Sequence, residues 1–193
     1  MSSKLQKLNK MGNYNFSEDL KFGNIGEEIV AKYLTKNYGA KLIGKSDVKE
    51  KNHKLFDLSF EFPHSKNVTY EVKSEDIYIV PKKVLPNGAI FPGKDTGNLF
   101  IEYMCYQKDS GIMVTMADWW AHVLVHIGEI WFIKCEELKS LLDKNNFPKT
   151  IGGDSKDRSG NIIKEEDRSH GYLIPRKEVE EHFIVKKFNI KNL

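Results

Sequence analysis

The chain has 193 residues, of which 40% are hydrophobic and 30% are charged, and its formal net charge is +3. These totals suit one domain with appendages and exclude two full domains, while the small net charge is a weak argument for a polyanionic partner. The sequence has no apolar run of about 18 residues and no apolar N-terminal segment, which argues against a membrane span and a secretory signal.

The first part of the chain is rich in lysine. Met1–Phe56 contains eleven lysines and six acidic residues. Such a distribution suits either contact with phosphate groups or a solvated lysine-rich surface, and the sequence leaves both open. We predict a flexible N-terminal arm over 1–16, a core domain over 17–145 and a C-terminal extension over 146–193 packed on or beside that core.

A helix is plausible from Ser17 and is predicted most strongly over Asn24–Asn37, with Gly39 as its stop. Glu27 falls at the edge of the apolar face of this helix, whereas Glu28 points away. A carboxylate at the rim of a buried face can point towards a functional site, which favours Glu27 as a functional group. Alternatively, both acids are simply first-turn residues that the helix dipole favours. The apolar face consists of Ile25, Ile29, Val30, Tyr33 and Leu34.

A short strand is predicted over Ala40–Gly44, and a β-hairpin over Leu55–Glu75. Both arms of the hairpin alternate, so that Asp57, Glu71 and Lys73 emerge on the face opposite the apolar residues. Two carboxylates can hold a hard divalent cation through oxygen, and a lysine beside them can orient or activate a water molecule. The alternative is an ordinary polar strand face. The apolar residues are Phe56, Leu58, Phe60 and Phe62, and then Val68, Tyr70 and Val72.

Asp57 followed by Glu71-Val72-Lys73 resembles the D…(D/E)xK signature of the PD-(D/E)XK nuclease superfamily. The segment Gly23–Glu28, running on to Tyr33-Leu34, resembles the GxxGE…YL first helix of the branch that contains archaeal-type Holliday junction resolvases. The order of helix, FD strand and ExK strand makes the resemblance more specific than the ExK tripeptide alone. It covers roughly Gly23 to Glu75.

This resemblance implies an α/β fold with a restriction-endonuclease-like αβββαβ core, a mixed central sheet and flanking helices. It implies a DNA endonuclease that uses Mg²⁺, with Mn²⁺ as a substitute, and that is structure-selective and homodimeric if it follows the resolvases. Asp57, Glu71 and the carbonyl of Val72 would hold the cation. Lys73 would position the nucleophile or stabilise the transition state, and Glu27 would be an outer or second-metal ligand.

Two other functions stay open at this point. One is a catalytically weak or inactive relative that binds DNA or another protein, although the intact D…ExK motif argues against it. The other is an unrelated α/β scaffold.

Several cations downstream are candidates for contact with DNA. Glu75–Asn98 is interrupted by proline and glycine, and it carries Lys82, Lys83 and Lys94 close to the ExK strand. We predict that these lysines touch backbone phosphates. Arg158 lies in Lys149–Gly171, which is predicted to be a loop that is either mobile or ordered only on a partner. Arg158 either contacts phosphate or is simply solvated.

A strand is predicted over Leu99–Tyr106, with Glu102 in an otherwise apolar row. An isolated buried carboxylate is costly, so Glu102 is a third acid near the metal, a salt-bridge partner or an edge residue. Gly111–Val125 is predicted to begin extended and to become a helix with Thr115 as its N-cap. His122 and His126 would then lie one turn apart, either as a metal pair or as satisfied core or surface residues.

The rest of the chain is predicted as alternating short elements. These are a strand over Glu129–Cys135, a helix over Glu136–Lys144, strands over Tyr172–Ile174 and Phe183–Phe188, and a small helix over Arg176–His182. Cys105 and Cys135 stand far apart without a CxxC motif, which favours reduced thiols in a cytoplasmic protein.

Overall fold

The computed structural model of the protein describes residues 16–45, 56–64, 66–75, 83–84, 90–91, 95–152 and 161–189. Within these ranges the α-helices are α1 (Phe16–Tyr38), α2 (Cys135–Lys144) and α3 (Arg176–Val179). The strands are β1 (Lys41–Lys45), β2 (Leu58–Glu61), β3 (Val68–Glu75), β4 (Lys83–Val84), β5 (Ile90–Phe91), β6 (Asn98–Cys105), β7 (Lys108–Asp109), β8 (Trp119–Leu124), β9 (Glu129–Lys134), β10 (Lys149–Ile151), β11 (His170–Pro175) and β12 (Ile184–Lys187). The fold is mixed α/β, mostly strand.

The main sheet has the strand order β1-β2-β3-β8-β9-β12. Its strands pair antiparallel except for β3 and β8, which run parallel. A second sheet has the order β10-β11-β6-β7, and β4 pairs with β5 separately. Because parallel neighbours need a long crossover, the chain leaves β3, builds β6 and β7 of the second sheet, and only then returns as β8.

Residues after Asn145 contribute strands to both sheets. β11 pairs with β6 in the second sheet, and β12 pairs with β9 at the edge of the main sheet. β10 forms inside the segment predicted to be an irregular loop, because its backbone pairs with β11 even though its surroundings are rich in glycine and polar residues. The boundary between core and extension stays a prediction, and the predicted arm lies outside the described residues except for Phe16.

α1 confirms the first predicted helix. Gly39 ends it with a φ of 64°, a conformation that glycine adopts without strain, and the amide of Gly39 donates to the carbonyl of Thr35. The apolar stripe of α1 packs on one face of the main sheet. The buried residues of this layer are Ile29, Val30, Tyr33, Leu34, Leu58, Phe60, Tyr70, Val72, Ala121, Val123, Ile130 and Phe132.

The opposite face of the main sheet carries a second apolar cluster. Trp120, Leu124, Trp131 and Ile133 pack there against the second sheet and α2. The second sheet contributes Leu99, Ile101 and Ile174 to this cluster, and α2 contributes Leu138, Leu141 and Leu142. The polar row of β3 lies on this same face, because Glu71 and Lys73 are in register with Trp120 and His122 of β8.

The helix predicted within Gly111–Val125 is wrong. Gly111–Met113 forms a short 3₁₀ turn, and the residues from Trp119 to Leu124 form strand β8. Because β8 lies between two strands and is covered on both faces, every residue after Trp119 is buried. A strand apolar on both faces lacks period-2 alternation, which is why the pattern was mistaken for a helix.

This correction changes the order of elements. The predicted αβββαβ order needs a helix between β3 and the next strand of the sheet, and among the described residues the second sheet takes that place. The histidines also lose their helical spacing. His122 Nε2 lies 2.6 Å from Glu75 Oε1, whereas His126 Nε2 lies 3.4 Å from Asp95 Oδ2. They therefore have separate protein partners and do not form a pair.

The remaining predicted elements are confirmed within the described ranges. The strands predicted over Leu99–Tyr106 and Glu129–Cys135 correspond to β6 and β9, and the helix over Glu136–Lys144 to α2. The small helix over Arg176–His182 is α3 followed by a 3₁₀ turn. No helix in the described part of the chain is long and apolar enough to cross a membrane.

Gly26 allows α1 to lie close to β3. A Cβ at Gly26 would lie 1.7 Å from Ser74 Oγ and 3.0 Å from Ser74 Cβ. Gly26→Ala would gain about 1 kcal/mol of helix propensity. We nevertheless expect it to destabilise the protein by roughly 1–2 kcal/mol, because the helix or the strand must shift. Chemical denaturation measures the change.

Ser74→Ala provides the matched test of this contact. The Ser74 hydroxyl is buried without a hydrogen-bond partner among the described residues, so its removal alone should be close to neutral. In the double variant it should recover at least half of the loss caused by Gly26→Ala. If the effects of Gly26→Ala and Ser74→Ala on stability were strictly additive in the double variant, the contact between these two residues would not limit how closely α1 approaches β3.

An ion pair joins the start of β6 to α3. Arg176 Nη2 lies 2.5 Å from both oxygens of Asp95, and the Gly97 amide donates to Asp95 Oδ1 at 2.9 Å. Burial alone would raise the pKa of Asp95, but these contacts outweigh it and lower the pKa from 3.8 to about 2. The stabilisation is therefore complete above pH 3.8 and is lost as the pH falls towards 2.

Arg176→Met should lower the free energy of unfolding by about 1.5–3 kcal/mol at pH 7, because a charge-assisted hydrogen bond is lost. The loss should shrink as the pH falls below 3.8. The exposed neighbour provides the control variant, Lys177→Met, which should change stability by less than about 0.5 kcal/mol. An equal effect of Arg176→Met at pH 2 and pH 7 would indicate lost packing and not a lost ion pair.

Candidate metal centre

The carboxylate of Asp57 lies against the backbone of the ExK segment. β2 begins at Leu58, which pairs with Tyr70, so the amide of Val72 in β3 lies beyond the part of β3 that pairs with β2. Asp57 Oδ2 accepts a hydrogen bond from this amide at 2.7 Å, and the amide of Asp57 donates to the carbonyl of Tyr70 at 2.9 Å. A buried N–H group requires an acceptor, so this contact fixes the carboxylate beside Glu71.

Glu71 is held between a hydroxyl and an ammonium. Thr115 Oγ1 donates to Glu71 Oε2 at 3.0 Å, and Lys73 Nζ lies 3.7 Å from Glu71 Oε1. Only 12% of the Glu71 side chain is exposed, whereas 35% of the Lys73 side chain is. The lysine therefore extends from the carboxylates towards solvent.

Lys73 is surrounded by acidic groups. Burial alone would lower its pKa, but the attraction of Glu71, followed by that of Glu102, raises the pKa above its ordinary value. Asp57 acts in the same direction. The ammonium form is thus strongly favoured. Glu102 itself accepts a hydrogen bond from Ser110 Oγ at 2.5 Å, so this carboxylate is not isolated.

Glu27 reaches the same region from α1. Lys45 Nζ, at the end of β1, lies 2.6 Å from Glu27 Oε2, and 18% of the Glu27 side chain is exposed. Burial raises the pKa of Glu27, opposed by Lys45 and reinforced by repulsion from Asp57. The helix therefore delivers Glu27, and not the exposed Glu28, towards Asp57.

The two central carboxylates disfavour each other's charge. Burial is the largest cause that raises the pKa of Glu71, repulsion from Asp57 is the next, and together they bring it from 4.5 to about 7. Burial also raises the pKa of Asp57, against the hydrogen bond from Val72 and the attraction of Lys73. A divalent cation would relieve this repulsion, which is the arrangement expected of a hard-cation site.

The donor set suits Mg²⁺ and not a cage of protein ligands. No group of three or more His, Cys, Asp or Glu side chains placed to hold a metal occurs among the described residues. Mg²⁺ keeps several water molecules and commonly binds one or two carboxylates together with phosphate oxygens. Asp57 and Glu71 fit that requirement. The carbonyl of Val72 as a further ligand stays a prediction.

The predicted phosphate-binding cations are Lys82, Lys83, Lys94 and Arg158. Lys82, Lys94 and Arg158 lie outside the described residues. Lys83 begins β4, which pairs with β5.

Three residues near the site were missed by sequence reasoning. Thr115 is predicted to be a helix N-cap. Its hydroxyl instead contacts Glu71, which lies 44 positions away in the sequence. Lys45 ends a short strand, where a solvated side chain is the default expectation. Glu75 continues the alternation of Glu71 and Lys73, a signal that was available, and its Oε1 accepts a hydrogen bond from the Phe100 amide at 2.8 Å.

No protein-family model, no curated protein and no solved structure matches this chain. The motifs of the sequence and the geometry of these side chains are therefore the basis for a functional proposal.

Proposed function

We propose that this chain is a Mg²⁺-dependent DNA endonuclease of the PD-(D/E)XK type. The observation that carries the proposal is the position of the Asp57 carboxylate, hydrogen-bonded to the Val72 amide between the two charged residues of the ExK motif. The sequence separates these groups widely, and a polar strand face of no function has no reason to bring two mutually repelling carboxylates together.

The strand order gives further support. Three antiparallel strands follow α1, and the next strand in the main sheet runs parallel to β3. A main sheet that mixes parallel and antiparallel pairs agrees with the mixed central sheet that the resemblance implies, although the crossover to β8 passes through a second sheet and not through a helix. The packing of α1 on β3 also accounts for the GxxGE pattern, since Gly26 permits the approach that carries Glu27 to Asp57.

Each residue has a distinct role in the proposed hydrolysis. Asp57 and Glu71 would hold the cation, which when bound would supply an acidified water and charge neutralisation at the phosphate. Lys73 keeps its proton, so its role is to place a positive charge beside the phosphate oxygens and to orient the attacking water. Thr115 holds Glu71 in one orientation through its hydrogen bond, and Glu27 would add negative charge near Asp57.

Incubation with a panel of DNA structures tests the proposal. Duplex, single-stranded, flapped and four-way-junction DNA would be incubated with Mg²⁺, Mn²⁺ or EDTA. Cleavage should require a divalent cation and should disappear in EDTA. If no DNA structure is cut, the enzyme proposal falls; binding in a gel-shift assay would then indicate a DNA-binding module, and no binding would favour an interaction scaffold.

A further inference from the structure

A second ammonium group, that of Lys45, lies near the candidate centre, where it acts on Asp57 together with Lys73. Lys45 pairs in the β-ladder with Leu58, the residue next to Asp57. Its Nζ contacts Glu27 at 2.6 Å, although α1 and β1 belong to different layers of the fold. The side chain is 41% exposed, so it passes from solvent into the space where the helix approaches the sheet.

The charge of Lys45 acts on two of the three acidic groups. Its attraction opposes burial at both Glu27 and Asp57. Lys73 acts in the same way on Asp57 and Glu71. The charges of Lys45 and Lys73 therefore both act on Asp57, and Lys45 supplies the only positive charge that contacts Glu27 among the described residues.

We propose that Lys45 is a resident cation that occupies the side of the centre next to Glu27 and competes with the divalent metal ion. This inference rests on the proposed function, because it assigns a regulatory residue to the same site. When the cation binds, Lys45 withdraws towards solvent and releases Glu27. The protein thus tolerates its clustered carboxylates without metal, and it binds metal less tightly than the acidic groups alone would allow.

The physical basis is electrostatic repulsion between the Lys45 ammonium group and the divalent cation. An ammonium group and a dication a few ångströms apart repel each other by about 1.4 kcal/mol even in well-solvated surroundings, which corresponds to a factor of about ten in affinity. The flexible, partly exposed stem of Lys45 lets the ammonium group move away from the dication into water, but the ion pair with Glu27 is then lost, and this loss weakens metal binding.

Lys45→Met removes the charge and keeps the length of the side chain. We expect it to bind Mn²⁺ roughly tenfold more tightly, measured by titration calorimetry on the full chain. In EDTA the variant should unfold at a lower temperature than the wild type, and Mn²⁺ should raise its unfolding temperature by more. The Mg²⁺ concentration that gives half-maximal cleavage should fall correspondingly.

Lys41→Met is the matched control, since Lys41 is an exposed residue on the same strand. It should leave Mn²⁺ affinity and cleavage unchanged. Unchanged or weaker Mn²⁺ binding by Lys45→Met, with a wild type that binds Mn²⁺ and cuts DNA, would overturn the role of Lys45 alone. A wild type that binds no Mn²⁺ at millimolar concentration would overturn the proposed function as well, so the two failures are distinguishable.

Discussion

Replacing Lys73 with methionine is expected to lower Mg²⁺-dependent DNA cleavage by roughly 10²- to 10³-fold while the protein stays folded. Lys73 is the cation of the ExK motif, its Nζ lies 3.7 Å from Glu71, and its charged form is strongly favoured. A positive charge fixed beside the reacting phosphate stabilises the charge that develops in the transition state, and methionine has none. Cleavage rates at saturating Mg²⁺ measure the loss.

The controls separate catalysis from folding. Lys187→Met removes an exposed lysine from β12, on the far edge of the same sheet, and should leave cleavage unchanged. Circular dichroism and Mn²⁺ titration of Lys73→Met should show an intact fold that still binds metal. If that variant does not fold, Lys73→Arg keeps the charge and should lose activity through altered geometry alone. Full activity of Lys73→Met would remove Lys73 from the mechanism.

The extent to which this site could be predicted from sequence depends on the range of each contact. The alternation within the hairpin places Glu71 and Lys73 on one face, because strand geometry alone decides it. The helical periodicity places Glu27 and not Glu28 towards the sheet for the same reason. What the sequence does not determine is the partner that arrives from elsewhere: Thr115 for Glu71, and Lys45 for Glu27.

The wrong helix over Gly111–Val125 has a related cause. Its residues form a strand because β3 and β9 supply hydrogen bonds on both sides and apolar cover on both faces, and neither condition is local. The prediction that Thr115 is a helix N-cap is wrong for the same reason, because a strand and not a helix follows it. Since the loop before β8 brings Thr115 to Glu71, the misassigned element concealed a residue of the site.

Glu71→Gln is expected to stabilise the protein in EDTA at pH 8, by on the order of 2 kcal/mol, and to have little effect at pH 5. The pKa of Glu71 in the folded protein is about 7, above the ordinary value of 4.5. The folded state therefore binds the proton more tightly than the unfolded state does. The contribution of Glu71 to stability is most favourable below pH 4.5, becomes less favourable as the pH rises towards 7, and is constant above that; glutamine removes this loss.

Mg²⁺ should reverse the order of the two proteins at pH 8. A cation neutralises the ionised pair of Asp57 and Glu71, so it should stabilise the wild type more at pH 8 than at pH 5 and should have little effect on Glu71→Gln. Denaturant unfolding at both pH values, with and without Mg²⁺, measures this.

Glu61→Gln, which changes an exposed acid on β2, is the control and should follow the wild type. If Glu71→Gln destabilised the protein equally at all pH values, Glu71 would be a structural acceptor for Thr115. The predicted reversal instead requires electrostatic repulsion between the ionised carboxylates of Asp57 and Glu71, which a hard cation relieves.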